Sequence, residues 1–229
     1  MIGGEVAEQA AIQFDVTTCF GRSNDTFATC SVDKAIHVCQ IGRDSPLRAF
    51  KGHSGDVNTI RWDPSGALLF LCCLAFVSRV SNAAIVQRCA TGTLLASCSD
   101  DCTAKIWSLS SSSPVFDLKG HIKEIYTLCW SPTGPRTQHP TKDLRLATAS
   151  FDSAVKIWDP VNGNELLSIS VHKQPVYSVA FSPCGDYIAS GSFDCSVAVS
   201  HVTGALVQQF QPSRSSGSIS RNYVRSLGW

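Results

Sequence analysis

The chain has 229 residues, 44% hydrophobic and 16% charged, enough to bury a sizeable core and too apolar for a disordered segment. Nineteen basic side chains against eighteen acidic ones leave a net charge of +1, so no overall field draws the chain to nucleic acid or to an anionic membrane surface. The opening residues carry early acidic groups and no apolar signal core, and the longest apolar run, Ala67 to Val77, is too short to span a bilayer. The cell interior is the expected compartment, where eleven cysteines at irregular positions are reduced thiols rather than a disulfide framework.

Along the chain, the same phrase returns. It appears as "FATCSVDKAIHVCQI" from Phe27, "LLASCSDDCTAKIWS" from Leu94, "LATASFDSAVKIWDP" from Leu146 and "IASGSFDCSVAVSHV" from Ile188. Each holds a Ser-x-Asp step: Ser31/Asp33, Ser99/Asp101, Ser150/Asp152 and Ser192/Asp194. Six residues after each Asp stands Cys39, Trp107, Trp158 or Ser200. Upstream lies a second phrase in which a His precedes an aromatic ring by nine residues: His53/Trp62, His121/Trp130 and His172/Phe181. Ala11 and Phe20 hold those places in the first repeat, and "VRSLGW" at Val224 begins a fifth.

The spacing betrays what was added. From the aromatic to the Asp is 13 residues in repeats one and four, 22 in repeat three and 39 in repeat two. With the surpluses of 9 and 26 removed, the intervals from Ala11 to His53, His53 to His121 and His121 to His172 all become 42. The repeats therefore fall at about 11–50, 51–118, 119–169 and 170–210, with a new start at 220–229. The 26-residue surplus, placed at 70–95, separates two near-copies, Gly66-Ala67-Leu68-Leu69 and Gly92-Thr93-Leu94-Leu95. It reads as a retained in-frame intron or gene-model artefact, with a docking loop as the competing reading.

Each unit alternates β-branched or aromatic residues with polar ones, broken by Asp-Pro-Ser-Gly, Ser-Pro-Cys-Gly and Val-Asn-Gly turns. A period near 40 to 45 residues with four short strands predicts an all-β fold, a partial β-propeller of about four blades plus the first strand of a fifth. The Gly-His phrase and the Trp-Asp-like ending resemble the WD40 repeat family. That resemblance implies a hydrogen-bonded clasp in each blade: His53, Ser99, Asp101 and Trp107 in the second, His121, Ser150, Asp152 and Trp158 in the third, His172, Ser192 and Asp194 in the fourth. Within it the Asp accepts from the His and the Ser links it to the indole N–H. Blades one and four, lacking members, are expected to be held less firmly.

Ser, His and Asp together invite a catalytic-triad reading, but a set that recurs in every repeat is structural. Cys98 and Cys102 lack a matched second pair, so no metal site is expected; no catalytic residue and no cofactor is assigned. The family resemblance places partner-facing residues just before the turn Asp and around the innermost strand: Val32, Asp100, Phe151 and Phe193, then Asp56, Asn58, Glu124, Tyr126 and Tyr177. Rings beside carboxylates suit a basic or amphipathic peptide, although any one ring could instead pack between blades.

Longer phrases, "DVNTIRWDPSG", "HIKEIYTLCWSPTGP", "VYSVAFSPCGDYIASGSFD" and "TFATCSVDKAIHVCQIGRDSPLRAFKGH", resemble the transducin-β-like/Ebi F-box-like WD-repeat family. The nine-residue surplus in repeat three is similar to a loop of that family. This resemblance implies a nuclear co-repressor component, with the cytoplasm as the alternative compartment, bound to co-repressor and histone deacetylase subunits or histone tails and making no sequence-specific nucleic-acid contact. Family members carry a LisH segment and an F-box-like region before a complete propeller; neither is in this sequence, which therefore reads as a fragment. The rivals are a generic WD40 adaptor, such as a ubiquitin-ligase substrate reader, and a hydrolase built on a propeller.

Overall fold

The computed structural model describes residues 17–20, 25–64, 94–135 and 137–211. Among them are sixteen strands and no helix. They form four antiparallel four-stranded sheets, each a meander in chain order. Blade 1 is β1 (Thr17–Phe20), β2 (Thr26–Cys30), β3 (Ala35–Gln40) and β4 (Arg48–Lys51). Blade 2 is β5 (Val57–Trp62), β6 (Leu94–Ser99), β7 (Thr103–Ser108) and β8 (Phe116–Lys119). Blade 3 is β9 (Ile125–Trp130), β10 (Leu146–Ser150), β11 (Val155–Trp158) and β12 (Glu165–Ile169); blade 4 is β13 (Val176–Phe181), β14 (Tyr187–Ser192), β15 (Val197–His201) and β16 (Leu206–Phe210).

The first strands of successive blades, β1, β5, β9 and β13, lie side by side, so the sheets fan out as an open arc of a propeller. The all-β expectation is met. The residues expected to start a fifth repeat, 220–229, and the start of the first, 11–16, lie outside the described residues.

Hydrophobic cores sit between blades. One joins Ala28, Ile36, Val38 and Phe50 to Val57, Ile60, Leu95 and Trp107. The next joins Ala96, Cys98 and Ile106 to Ile125, Leu128 and Trp158, and the last joins Ala147, Val155 and Ile157 to Val176, Phe181 and Ile188. Middle strands are thus buried on both faces, as β6 and β10 are along their whole length. Small residues such as Ala96, Ala104, Ala147 and Ala149 let neighbouring sheets approach.

The meander separates two rims. Connections from a first to a second strand, and from third to fourth, lie on one; turns between second and third strands, and the links to the next blade, lie on the other. Both length surpluses belong to first-to-second connections, within 63–93 in blade 2 and 131–145 in blade 3. The structure moves the end of the first surplus: Leu94 and Leu95, placed inside it above, are the first residues of β6 and are buried against blades 3 and 1. The two Leu-Leu pairs are interchangeable by pattern, and the strand takes the one continuous with Ala96–Ser99. The rest of that surplus lies outside the described residues.

The blade 3 connection reaches sideways to blade 4. Lys142 Nζ binds both carboxylate oxygens of Asp186 at 2.6 and 2.7 Å and the carbonyl of Cys184 at 2.9 Å, while the His139 ring meets the carbonyl of Pro183. Gly185, at φ +75°, leaves room for Thr133, whose Cγ2 would lie 2.3 Å from any added Cβ.

Candidate functional site

At the other rim, the clasp forms with one change of membership. In blade 3, His121 Nδ1 donates to Asp152 Oδ2 at 2.7 Å. A carboxylate only accepts, so Nδ1 carries the proton and Nε2 accepts from the Thr148 hydroxyl at 2.8 Å. Thr148 Oγ1 in turn accepts from Trp158 Nε1 at 2.9 Å. Blade 2 repeats this with His53, Asp101, Ser97 and Trp107. The bridging hydroxyl is therefore Ser97 or Thr148, where Ser99 and Ser150 were expected.

Register explains the correction. Leu95 pairs with Trp107 and Leu146 with Trp158, which puts Ser97 and Thr148 two residues along on the same sheet face. Ser99 and Ser150 lie a further two residues away, roughly 7 Å along the strand, out of the indole's reach. These serines hold the turn: Ser150 Oγ accepts from the N–H of Asp152 and donates to the carbonyl of Lys123, and Ser192 does the same with Asp194 and Gln174. Ser99 accepts from the N–H of Asp101. The missed signal was in the sequence, where a hydroxyl residue precedes each Trp or its substitute by ten: Thr29, Ser97, Thr148 and Ser190.

The clasp also fixes an unusual backbone. Lys34, Cys102, Ser153 and Cys195, each just after the turn Asp, have φ between 63° and 71°. That left-handed conformation disfavours side chains, yet each turn is held by Asp Oδ1 accepting from the N–H two residues on.

Blade 4 departs most. His172 Nε2 meets Ser190 Oγ at 2.8 Å, but its Nδ1 is 3.3 Å from Asp194 and shares Ser196 Oγ at 3.1 Å. Ser200 stands where blades 2 and 3 have Trp, and its buried hydroxyl has no hydrogen-bond partner among the described residues. The residue before the His also differs. Gly52 and Gly120 admit the edge of the indole, with an added Cβ only 3.0 and 3.1 Å from Cη2 of Trp107 and Trp158, whereas blade 4 has Val171, packed against the core.

Burial opposes ionisation of Asp152, but the hydrogen bond and charge of His121, with the N–H groups of Ala154 and Ile122, overcome it and hold the carboxyl at about 2. Asp194 is likewise held at about 2, where burial is outweighed by Ser196 and the Lys173 N–H, and Asp101 lies lower still. These values fall below the roughly 3.9 of an unfolded Asp, so the stabilisation is present above about pH 4 and drains as the pH falls toward 2. Asp152→Ala is expected to cost about 1 to 3 kcal/mol at pH 7, because His121 Nδ1–H loses its acceptor. Urea melts across pH should show that deficit narrowing toward pH 2, where the native carboxyl also protonates.

Above the clasps lies the candidate partner face, built by a bulge in each first strand. Val57 pairs with Ser99 and Thr59 with Cys98, so Asn58 is skipped; Tyr126 and Tyr177 are skipped in the same way in β9 and β13. A bulge re-aims its side chain, here beside the first turn residue of each blade. In blade 2, Asn58 Nδ2 donates to Asp100 Oδ1 at 2.6 Å. In blade 3, the Tyr126 and Phe151 rings are 6.0 Å apart, and in blade 4 Tyr177 and Phe193 are 4.8 Å apart. Phe151 and Phe193, 6.2 Å apart, join the two pairs across the blade boundary. The turns are tied down by the N–H groups of Asp100, Phe151 and Phe193, which donate to the carbonyls of Asp56, Glu124 and Pro175.

The result is a graded strip: polar in blade 2 (Asp56, Asn58, Asp100), mixed in blade 3 (Glu124, Tyr126, Phe151) and apolar in blade 4, where sequence reasoning missed Pro175. Phe193 is 55% exposed and Tyr126 48%, while Phe151 and Tyr177 are half-buried beneath them. Val32, in blade 1, is exposed but apart from the ring chain. The acidic end is felt locally, since burial and then the charges of Glu124, Asp101, Asp152 and Asp100 push the Cys102 thiol up. Among the described residues no group of three or more His, Cys, Asp or Glu side chains is placed to hold a metal ion, and no disulfide joins the seven cysteines there.

Four blades, a His–Asp–hydroxyl–Trp clasp and a ring-lined rim define a WD-repeat interaction module. The chain matches the family "WD domain, G-beta repeat" over residues 44–78, 83–108, 112–159 and 163–199 and belongs to it. It is 49% identical over 168 residues to the WD40 repeat-containing protein HOS15 of Arabidopsis thaliana, covering 73% of this chain and 23% of that protein. It is 46% identical over 166 residues to the F-box-like/WD repeat-containing protein TBL1X of Mus musculus, covering 72% and 27%. A component of chromatin assembly factor 1 from Gallus gallus is 26% identical over 182 residues, covering 70% and 29%. The chain thus spans about a quarter of the length of the curated relatives it matches. WD-repeat proteins are generally non-catalytic scaffolds, and that is the class to which this one is assigned.

Proposed function

We propose that the chain is a non-enzymatic interaction scaffold in a nuclear, histone-deacetylase-containing transcriptional co-repressor complex. The single observation that carries a binding role is the continuous strip from Asp100 to Phe193, in which four rings run across two blades toward an acidic end. A basic or amphipathic segment of a partner, such as a co-repressor or deacetylase subunit or a histone tail, fits it. Apolar groups would lie over Tyr177 and Phe193, and a cation would meet Asp100, Asp56 and Glu124. The nuclear setting is supported by the likeness to the F-box-like/WD repeat-containing relatives and by the chromatin assembly factor component among the weaker matches.

The test is affinity isolation of the full chain from nuclei with a deacetylase assay on the eluate. Deacetylase activity should co-purify and fall by about tenfold or more with Tyr177→Ala plus Phe193→Ala, both at the rim and outside the clasps. Recovery of a cullin and no deacetylase would overturn the reading in favour of a ubiquitin-ligase adaptor.

A further inference from the structure

Every junction between blades repeats one arrangement. A residue of the outermost strand, Phe50, Leu118 or Ile169, pairs in register with Ile36, Ala104 or Val155 and is covered by the following blade. These three are 1%, 1% and 4% exposed. Phe210 holds the same register place in blade 4, opposite Val197, and is 55% exposed. Beside it, Val197 and Val199 are half-covered, where their blade 2 equivalents Ala104 and Ile106 are buried.

The opposite half of such a junction is also present on this chain. In blade 2 the face turned toward the preceding blade carries Ser97, Lys105 and Trp107, all buried. The matching places in blade 1 are Thr29, His37 and Cys39, all half-buried. None of these facing residues in blades 1 and 4 is Asp, Glu, Lys or Arg, so bringing them together strips no full-time charge of water. Lys51 shares the blade 1 face but ends its strand, at the register place where Lys119 of blade 2 keeps a side chain 73% exposed. Cys39, small where Trp107 is large, leaves space for the Phe210 ring.

We propose that the outer face of blade 4 is an interface for a second copy of this chain, which docks the open face of its blade 1 there, head to tail. The contact continues the junction already made three times within the molecule. It is heterologous, joining two different patches, so it orders copies in one direction.

Sedimentation equilibrium on the full chain should show an average mass rising with concentration above that of one copy. Phe210→Asp should raise the dissociation constant by on the order of tenfold or more while leaving the far-ultraviolet circular dichroism unchanged. A second measurement does not depend on that variant folding. A benzophenone side chain at position 210, irradiated in a mixture of isotopically light and heavy protein, should cross-link between copies into residues 26–40. Wild-type protein that stays at the mass of one copy overturns the proposal. So do cross-links confined to the chain's own residues, or cross-links to residues 205–211 of the second copy, which would mean symmetric edge pairing.

Discussion

Thr148→Val should lower the stability of the chain by about 2 to 4 kcal/mol, whereas Ser150→Ala should cost no more than about 1.5 kcal/mol. Thr148 Oγ1 is the one oxygen between two buried rings, accepting from Trp158 Nε1 and donating to His121 Nε2. Valine keeps the shape and removes both bonds, leaving the indole N–H without an acceptor and the imidazole nitrogen without a donor in a site closed to water. The imidazole then loses the partner that orients it toward Asp152. Ser150 lies at the strand end, and its loss removes turn contacts to Asp152 and Lys123 whose backbone groups stand nearer solvent. Thermal or urea melts of the two variants give the comparison directly. Equal losses would show that the clasp runs through Ser150 as much as through Thr148.

The second large effect is a reciprocal one in blade 4. Val171→Gly should destabilise by about 2 to 4 kcal/mol, since it opens a void beside Val179 and Phe181 and adds backbone freedom to the unfolded chain. Ser200→Trp alone should cost at least about 3 kcal/mol, because the indole edge would enter the space Val171 fills. Made together, the two changes restore the Gly–Trp arrangement of blades 2 and 3. Their combined cost should fall short of the sum by about 2 to 3 kcal/mol. The new indole would also find an acceptor in Ser190 Oγ, placed as Ser97 and Thr148 are, and would displace a Ser200 hydroxyl that bonds nothing among the described residues. A strictly additive result in urea melts would show that Val171 and Ser200 do not share one space.

The repeat made most of this fold legible before any coordinates. The 42-residue interval placed every His and turn Asp that the structure brings together, because a propeller repeats its geometry and so must repeat its spacing. What the pattern could not assign was which hydroxyl bridges. Ser97 and Ser99 are two apart on one strand face, and only the pairing of Leu95 with Trp107 distinguishes them. The end of the surplus escaped for a similar reason, since Leu68-Leu69 and Leu94-Leu95 are equally good strand starts by composition. The rim residues were found at their positions, but their joining was not. That Phe151 lies near Phe193 depends on how two blades pack, and that a bulge turns Tyr126 and Tyr177 toward them depends on one skipped residue in each ladder.

The separation of the two rims has a further consequence for how such a chain can change. Each surplus enters where a first strand turns into a second, and each leaves the bulge, the turn Asp and the rings at the far end of the same strands in register with their counterparts in other blades. Length is free to drift on one side of the disc while recognition holds still on the other. Two descendants of this sequence could therefore differ by dozens of residues and still read the same peptide, whereas a single residue gained or lost within β9 or β13 would turn the rings away from it.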